Sequence, residues 1–306
     1  MTWFLLALVA PFLYAITNHV DKALLSKYFK ESGVGTLILF SSLLSVIAIP
    51  FILIADSSVL SVSMSGIFLL CIVGLLDVAI LWFYLMALQG DEPSIIIIFY
   101  QLVPVFALIL GYIILGESLA IEQLIAMAII ILGTTLVSFE FDDMNNIKLR
   151  KHTIIFMTMA ALAWAIESVL FKFVALDENV WRSLFWEHLM LVFIGMFLLI
   201  AMRKYRSHFI AAIKYNSTPI LSLNVANESL YMVGNITVAF AVMLAPVALV
   251  LLAEPFQAFF VFILGVFLTY FFPQIYNEKS SWRDLTQKLA AIIITGVGTY
   301  LLLSVT

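Results

Sequence analysis

Apolar segments of about 20 residues follow one another along almost the whole chain, separated by short polar interruptions. A window of about 19 residues places them near 3–22, 34–54, 65–88, 93–115, 119–138, 153–174, 181–202, 218–244, 246–271 and 286–304. Segments of this length, without period-2 alternation, match helices that cross a bilayer and satisfy their own backbone, not barrel strands. Composition agrees: 64% of the 306 residues are hydrophobic and 11% are charged, too few charges to cover a soluble globule. The expected fold is an all-α membrane protein of ten transmembrane helices, with lipid as its main solvent.

The same numbers exclude several function classes. A net charge of −4 offers no basic surface for nucleic acid, which is bound by neutralising many phosphates. The single cysteine, Cys71, allows no intrachain disulfide, and the four histidines lack metal-ligand spacing. No phosphate-binding lysine loop points to ATP use, and neither GxSxG nor HExxH is present. Neither a cofactor nor a metal is expected. The N-terminal stretch lacks a basic n-region and a small-x-small cleavage site, so it is expected to be kept as the first span.

The hydrophilic stretch at 140–152 divides five segments from five. The halves repeat: YAITNHVDK (Tyr14 to Lys22) aligns with WAIESVLFK (Trp164 to Lys172), and IAMAIIILGTTLVS (125–138) aligns with LAAIIITGVGTYLLLS (289–304), placing Gly133 over Gly298. An odd number of crossings turns the second unit upside down relative to the first. Such inverted repeats are the symmetry of alternating-access carriers. The expected units are 1–139 and 153–306, joined by a linker at 140–152.

The segment FYQLVPVFALILGYIILGESLAIEQLIAMAIIILGTTLV (99–137) resembles the end of an EamA repeat, with its Pro104 helix, a Gly116–Glu117 turn and a final helix containing Gly133. The second half keeps Pro255 and Gly265 but has Tyr270–Phe271 where the Gly-Glu turn would lie. The resemblance implies an EamA-type carrier of the drug/metabolite transporter superfamily, with two five-helix halves, moving metabolites or drugs and commonly exporting them.

Thirteen of the fifteen basic residues fall in loops on one side of this arrangement, leaving Lys172 and Arg182 for the other. The positive-inside rule then places both termini outside the cytoplasm, in a cytoplasmic (inner) membrane. Lys22 and Lys172 lie near span ends and read as interface anchors, as do Trp3, Trp181 and Trp282. Pro93 and Pro246 are expected to begin helices, where proline needs no donor.

Inside the spans, polar residues gather on helical stripes at i, i+3, i+4 and i+7. Asn224, Asn227, Glu228, Tyr231 and Asn235 share one face; Tyr14, Thr17, Asn18 and Asp21 share another; Trp164, Glu167 and Ser168 form a third. Some of these residues serve equally well as hydrogen-bonding glue between helices. The number on one face of the eighth span favours a cavity wall. Asp77, Glu167, Glu187, Glu228 and Glu254 lie deep in apolar segments without a basic residue at their depth. A charge there costs at least about 2.5–3.5 kcal/mol, so each must take up a proton or meet a cation.

The expected proton-coupling groups are therefore Glu228, Glu167, Asp77, Glu187, His188 and Glu254. Glu187 and His188 are candidates for a relay, although neighbours on a helix point about 100° apart. Glu254, before Pro255, suits a helix kink as well as it suits coupling. The expected substrate-binding residues are Tyr14, Asn18, Tyr84, Tyr100, Trp164, Asn227, Glu228, Tyr231 and Asn235, aromatic faces beside carboxylates being a site for an organic cation. The function expected is a secondary carrier for an amine, quaternary ammonium compound or amino acid, coupled to protons and directed outward. Uptake of the same solutes, an intramembrane enzyme and a non-transporting membrane protein are the alternatives.

Overall fold

The computed structural model describes residues 2–25, 29, 34–90, 96–138, 151–271 and 282–305. Every regular element among them is helical. The expected linker at 140–152 lies outside the described residues up to 150, as do Pro93 and the first ten residues of the long loop at 272–287.

Helix α1 spans Thr2–Ala23. A second crossing is made of α2 (Val34–Leu44), a 3-10 turn at Ser45–Ile47 and α3 (Ala48–Ala55), followed by α4 at Met64–Gly90. The Pro104 region is built from three pieces: a 3-10 turn at Ile97–Gln101, α5 at Leu102–Leu110, and a π-turn at Gly111–Leu115. That turn ends on Gly116 at φ +68°, the left-handed conformation in which glycine carries no Cβ penalty. Helix α6 (Ile121–Ser138) completes the first half.

The second half runs through α7 (Lys151–Glu178), α8 (Val180–Ala201) and α9 (Arg203–Ala241). Asn179 caps α8 by accepting the Arg182 N–H through its side chain. Pro246 precedes α10 (Val247–Leu251), as expected of a proline at a helix start. Glu254–Phe256 form a 3-10 turn before α11 (Gln257–Phe271), and α12 covers Trp282–Val305. The Glu-Pro pair therefore sits at a break in the expected ninth span.

Among the described residues, six helices or joined helices are long and apolar enough to cross a membrane: 2–23, 34–55, 64–90, 151–178, 180–201 and 247–268. Shorter apolar helices occur at 99–115, 121–135 and 289–305. The 39-residue α9 carries Asn224, Asn227, Glu228 and Asn235, which dilute its apolar character. Large apolar side chains such as Ile54, Phe51, Phe68 and Tyr112 face outward, whereas Asn18, Glu167, Asn224 and Glu228 are buried. This inside-out polarity is what a lipid solvent selects.

Helix pairing is tightest for α6 with α12, α4 with α7 and α1 with α9. At the first of these, a Cβ on Gly133 would come within 2.4 Å of Thr295 Oγ1, and one on Gly298 within 2.8 Å of Ile130. Glycine at both places lets the two backbones approach, the usual route to tight packing where lipid supplies no hydrophobic drive. Trp3 departs from the expected role of interface anchor. It is buried against Phe4, with ring centroids 5.6 Å apart.

Candidate functional site

Helices α1, α4, α7 and α9 enclose a central cavity with about 80 Å³ of space for the centre of a water molecule, room for several waters or a small solute. Its lining contains Tyr14, Asn18, Tyr84, Tyr100, Trp164, Tyr231 and Asn235 of the expected binding residues, together with the acids Asp77 and Glu167. The aromatic rings form a continuous wall. Tyr14 stacks on Tyr231 at 5.2 Å between centroids and lies 6.1 Å from Trp164, which meets Tyr100 edge-on at 5.4 Å.

Hydrogen bonds fix several of these side chains. Tyr84 donates its hydroxyl to Asn18 Oδ1 at 2.9 Å, and Ser168 donates to Glu167 Oε2 at 2.9 Å. Thr17 donates to the Tyr14 carbonyl at 3.0 Å. Gly234 clears space for Tyr14, since a Cβ there would lie 2.5 Å from the ring.

A second chamber of about 50 Å³ adjoins the first and shares Thr17, Asp21, Asp77, Leu81 and Tyr231 with it. Asn227 and Glu228 belong to this chamber, beside Ser41, Ser42 and Ser45. Asn227 donates to Asp21 Oδ1 at 2.7 Å. The expected residues thus divide between two connected spaces, with Asp21 and Asp77 at the passage.

Glu187, His188 and Glu254 line neither chamber but are buried close behind. Asn235 donates to Glu187 Oε1 at 2.7 Å. His188 Nδ1 is 3.9 Å from Glu187 Oε1, too far for a hydrogen bond. The hydrogen-bonded link from Glu187 to the cavity is Asn235, which lines it. Among the described residues, no Lys or Arg forms an ion pair with any of the five deep acids.

Several lining residues fall outside the expected set. Asp21 appears on the α1 stripe but was expected only to share a face with Tyr14 and Asn18. Ser41, Ser42 and Ser45 had a signal in the repeated serines of a span otherwise apolar. Gln257 had none, since one polar residue after a Glu-Pro turn looks like a helix start. Among the described residues no three His, Cys, Asp or Glu side chains converge as ligands for a metal.

At one end of the bundle, polar contacts join residues far apart in the chain. Lys172 Nζ lies 2.6 Å from Glu117 Oε1 and donates to the Ala245 carbonyl at 2.8 Å, while Glu117 Oε2 accepts the Val247 N–H at 2.8 Å. Lys172 is therefore an interhelical clasp and not the interface anchor expected of it. Beside it, Arg182 reaches Asp56 at 3.4 Å and Ser58 Oγ at 2.8 Å, Asn179 donates to Asp56 at 2.9 Å, and Trp186 donates to the Val59 carbonyl at 2.9 Å. The Ser58 hydroxyl and then the Asn179 amide hold the Asp56 carboxyl well below the ordinary carboxylate range, with a smaller contribution from Arg182.

Residues 1–139 match the EamA-like transporter family. No curated protein matches the sequence. Among solved structures 28 chains match; one crystal structure aligns over 98% of this chain and 99% of its own at 13% identity, with a TM-score of 0.58. A likeness at that identity speaks to the fold alone. The Gly116 turn, the Pro104 region and the Gly133 helix all lie within the matched residues, so the first part of this multi-pass helical membrane protein is similar to the EamA-like transporter family.

Proposed function

We propose that the chain is a secondary active transporter for a small organic cation or zwitterion, such as an amine, a quaternary ammonium compound or an amino acid. It works by alternating access in the cytoplasmic membrane and exports its solute in exchange for protons. The observation that carries this reading is the central cavity, where Tyr14, Tyr100, Trp164 and Tyr231 surround carboxyl groups that have no basic partner among the described residues. An aromatic wall attracts a cation through its ring quadrupoles, and an uncompensated carboxylate attracts it by charge. When the solute leaves, a proton enters the connected acid-lined chambers, because an uncompensated carboxylate in a low-dielectric site is costly.

Ten crossings in two inverted halves, 1–139 and 153–306 with 140–152 between, account for the pairing of helices. Exchanging the halves converts the α1–α9 contact into the α7–α4 contact, and α6 meets its own counterpart α12. The cavity draws on both halves, as rocking about a midplane site requires. With both termini outside the cytoplasm, the clasped end faces outward, and this conformation is closed to the exterior. Glu167 sits at the solute, while Glu228, in the adjoining chamber, is the group that exchanges protons.

Counterflow of labelled phenethylamine in proteoliposomes tests the reading. A preloaded unlabelled amine should drive transient uptake of label, and an imposed pH gradient should drive its accumulation without preloading. Uptake no faster than in protein-free vesicles under both conditions contradicts the proposal.

A further inference from the structure

The amide side chains of the site are not all occupied. Asn227 and Asn235 each donate to a carboxylate, and Asn18 Oδ1 accepts the Tyr84 hydroxyl. Gln257, the first residue of α11, lines the central cavity and is 1% exposed, yet neither its Nε2 nor its Oε1 has a hydrogen-bond partner among the described residues. Asn18 Nδ2, on the same lining, is likewise without one. A buried amide that bonds to nothing is costly, and one that lines a cavity is satisfied by water or by what the site binds.

The chemistry of the unsatisfied atoms restricts the partner. Gln257 offers one donor and one acceptor side by side, whichever way its amide is turned. An ammonium group would use only the oxygen, and a carboxylate only the nitrogen. A carboxamide, lactam or similar edge uses both, and its carbonyl oxygen has a second lone pair for the Asn18 donor. The rings of Tyr14 and Trp164, inclined at 59°, and of Tyr100, edge-on to Trp164, offer faces and edges against which a planar ring carrying that edge packs. Glu167 sets its charge.

We propose that Gln257 is a specificity-determining residue that reads a carboxamide-type edge on a planar cationic substrate. The inference rests on the cation-carrier reading above and narrows the solute class within it. A site that hydrogen-bonds a polar edge discriminates strongly against an analogue lacking it, because its own buried groups are then left unpaired.

Quenching of tryptophan fluorescence, or calorimetry, on the purified full chain measures the affinity of three probes. 1-Methylnicotinamide is a planar cation with a carboxamide; 1-methyl-3-acetylpyridinium keeps the charge, ring and carbonyl but lacks the N–H; nicotinamide keeps the amide but lacks the charge. The wild-type protein should bind 1-methylnicotinamide at least about tenfold more tightly than the acetyl analogue. Gln257→Leu should bring the two within about twofold, chiefly by weakening 1-methylnicotinamide. Equal wild-type affinities for the two cations, or a ratio that survives Gln257→Leu, would overturn the amide readout and leave the cation reading standing. Nicotinamide binding as tightly as 1-methylnicotinamide would overturn the cation reading alone, and no binding of any probe would overturn both. The wild-type comparison needs no variant, so it stands even if Gln257→Leu does not fold.

Discussion

Tyr14 shows how closely the site depends on single atoms elsewhere. Its ring stacks on Tyr231 only because position 234 has no Cβ. Gly234→Ala must push the ring or the backbone aside, and overpacking of this kind costs about 1–3 kcal/mol. The expected outcome is a lowered melting temperature together with severalfold weaker binding of an aromatic amine, measured by tryptophan quenching. At this scale much of the site was legible in the sequence. The stripes on the first, sixth and eighth spans placed Tyr14, Asn18, Trp164, Tyr231 and Asn235 around one space, because an apolar helix tolerates polar groups chiefly where they face protein or water. Periodicity could not separate Glu228 from Glu167 into different chambers. Nor could it identify Gln257, whose side-chain environment depends on a break in the helix that precedes it.

Between elements, two kinds of contact hold the bundle. The α6–α12 pair relies on glycine, so Gly133→Leu should overpack the crossing against Thr295. A destabilisation of about 1–3 kcal/mol is expected, read as a shift of the melting curve in detergent. The clasp at Lys172 relies on charge. Its side chain is 9% exposed and that of Glu117 15%, so removing one partner strands a mostly buried charge. Lys172→Met should therefore destabilise by about 3–5 kcal/mol, whereas replacing both, Lys172→Met with Glu117→Leu, should recover a large part of the loss. Equal losses for the single and double variants in the same melting assay would contradict that account. The Gly116–Glu117 turn was visible as a motif, but its role as the acceptor of a lysine from the other half was not. Sequence gives spacing along one chain segment, whereas the clasp joins residues 55 positions apart.

For the molecule as a whole, the clasped end implies that opening to that side must break two sets of polar contacts between the halves. Asp56 is central to one of them, and its carboxyl is held below the ordinary range by Ser58 and Asn179. A group depressed in the folded state contributes stability above its ordinary value and loses it only as pH falls through the folded one. Spin labels at the exposed positions Leu60 and Leu176 should accordingly report an unchanged distance from pH 7 to about pH 4, where a free aspartate is half protonated. Lengthening near pH 5 would contradict the assignment. The central claim concerns the uncompensated acids inside the membrane, and the pH dependence of transport addresses it most directly. Amine flux in proteoliposomes, measured across a range of imposed pH gradients for the wild-type protein and Glu228→Gln, should be driven by the gradient in the first and insensitive to it in the second. Gradient-driven flux that persists undiminished in Glu228→Gln would contradict the claim that this carboxyl exchanges protons for the solute.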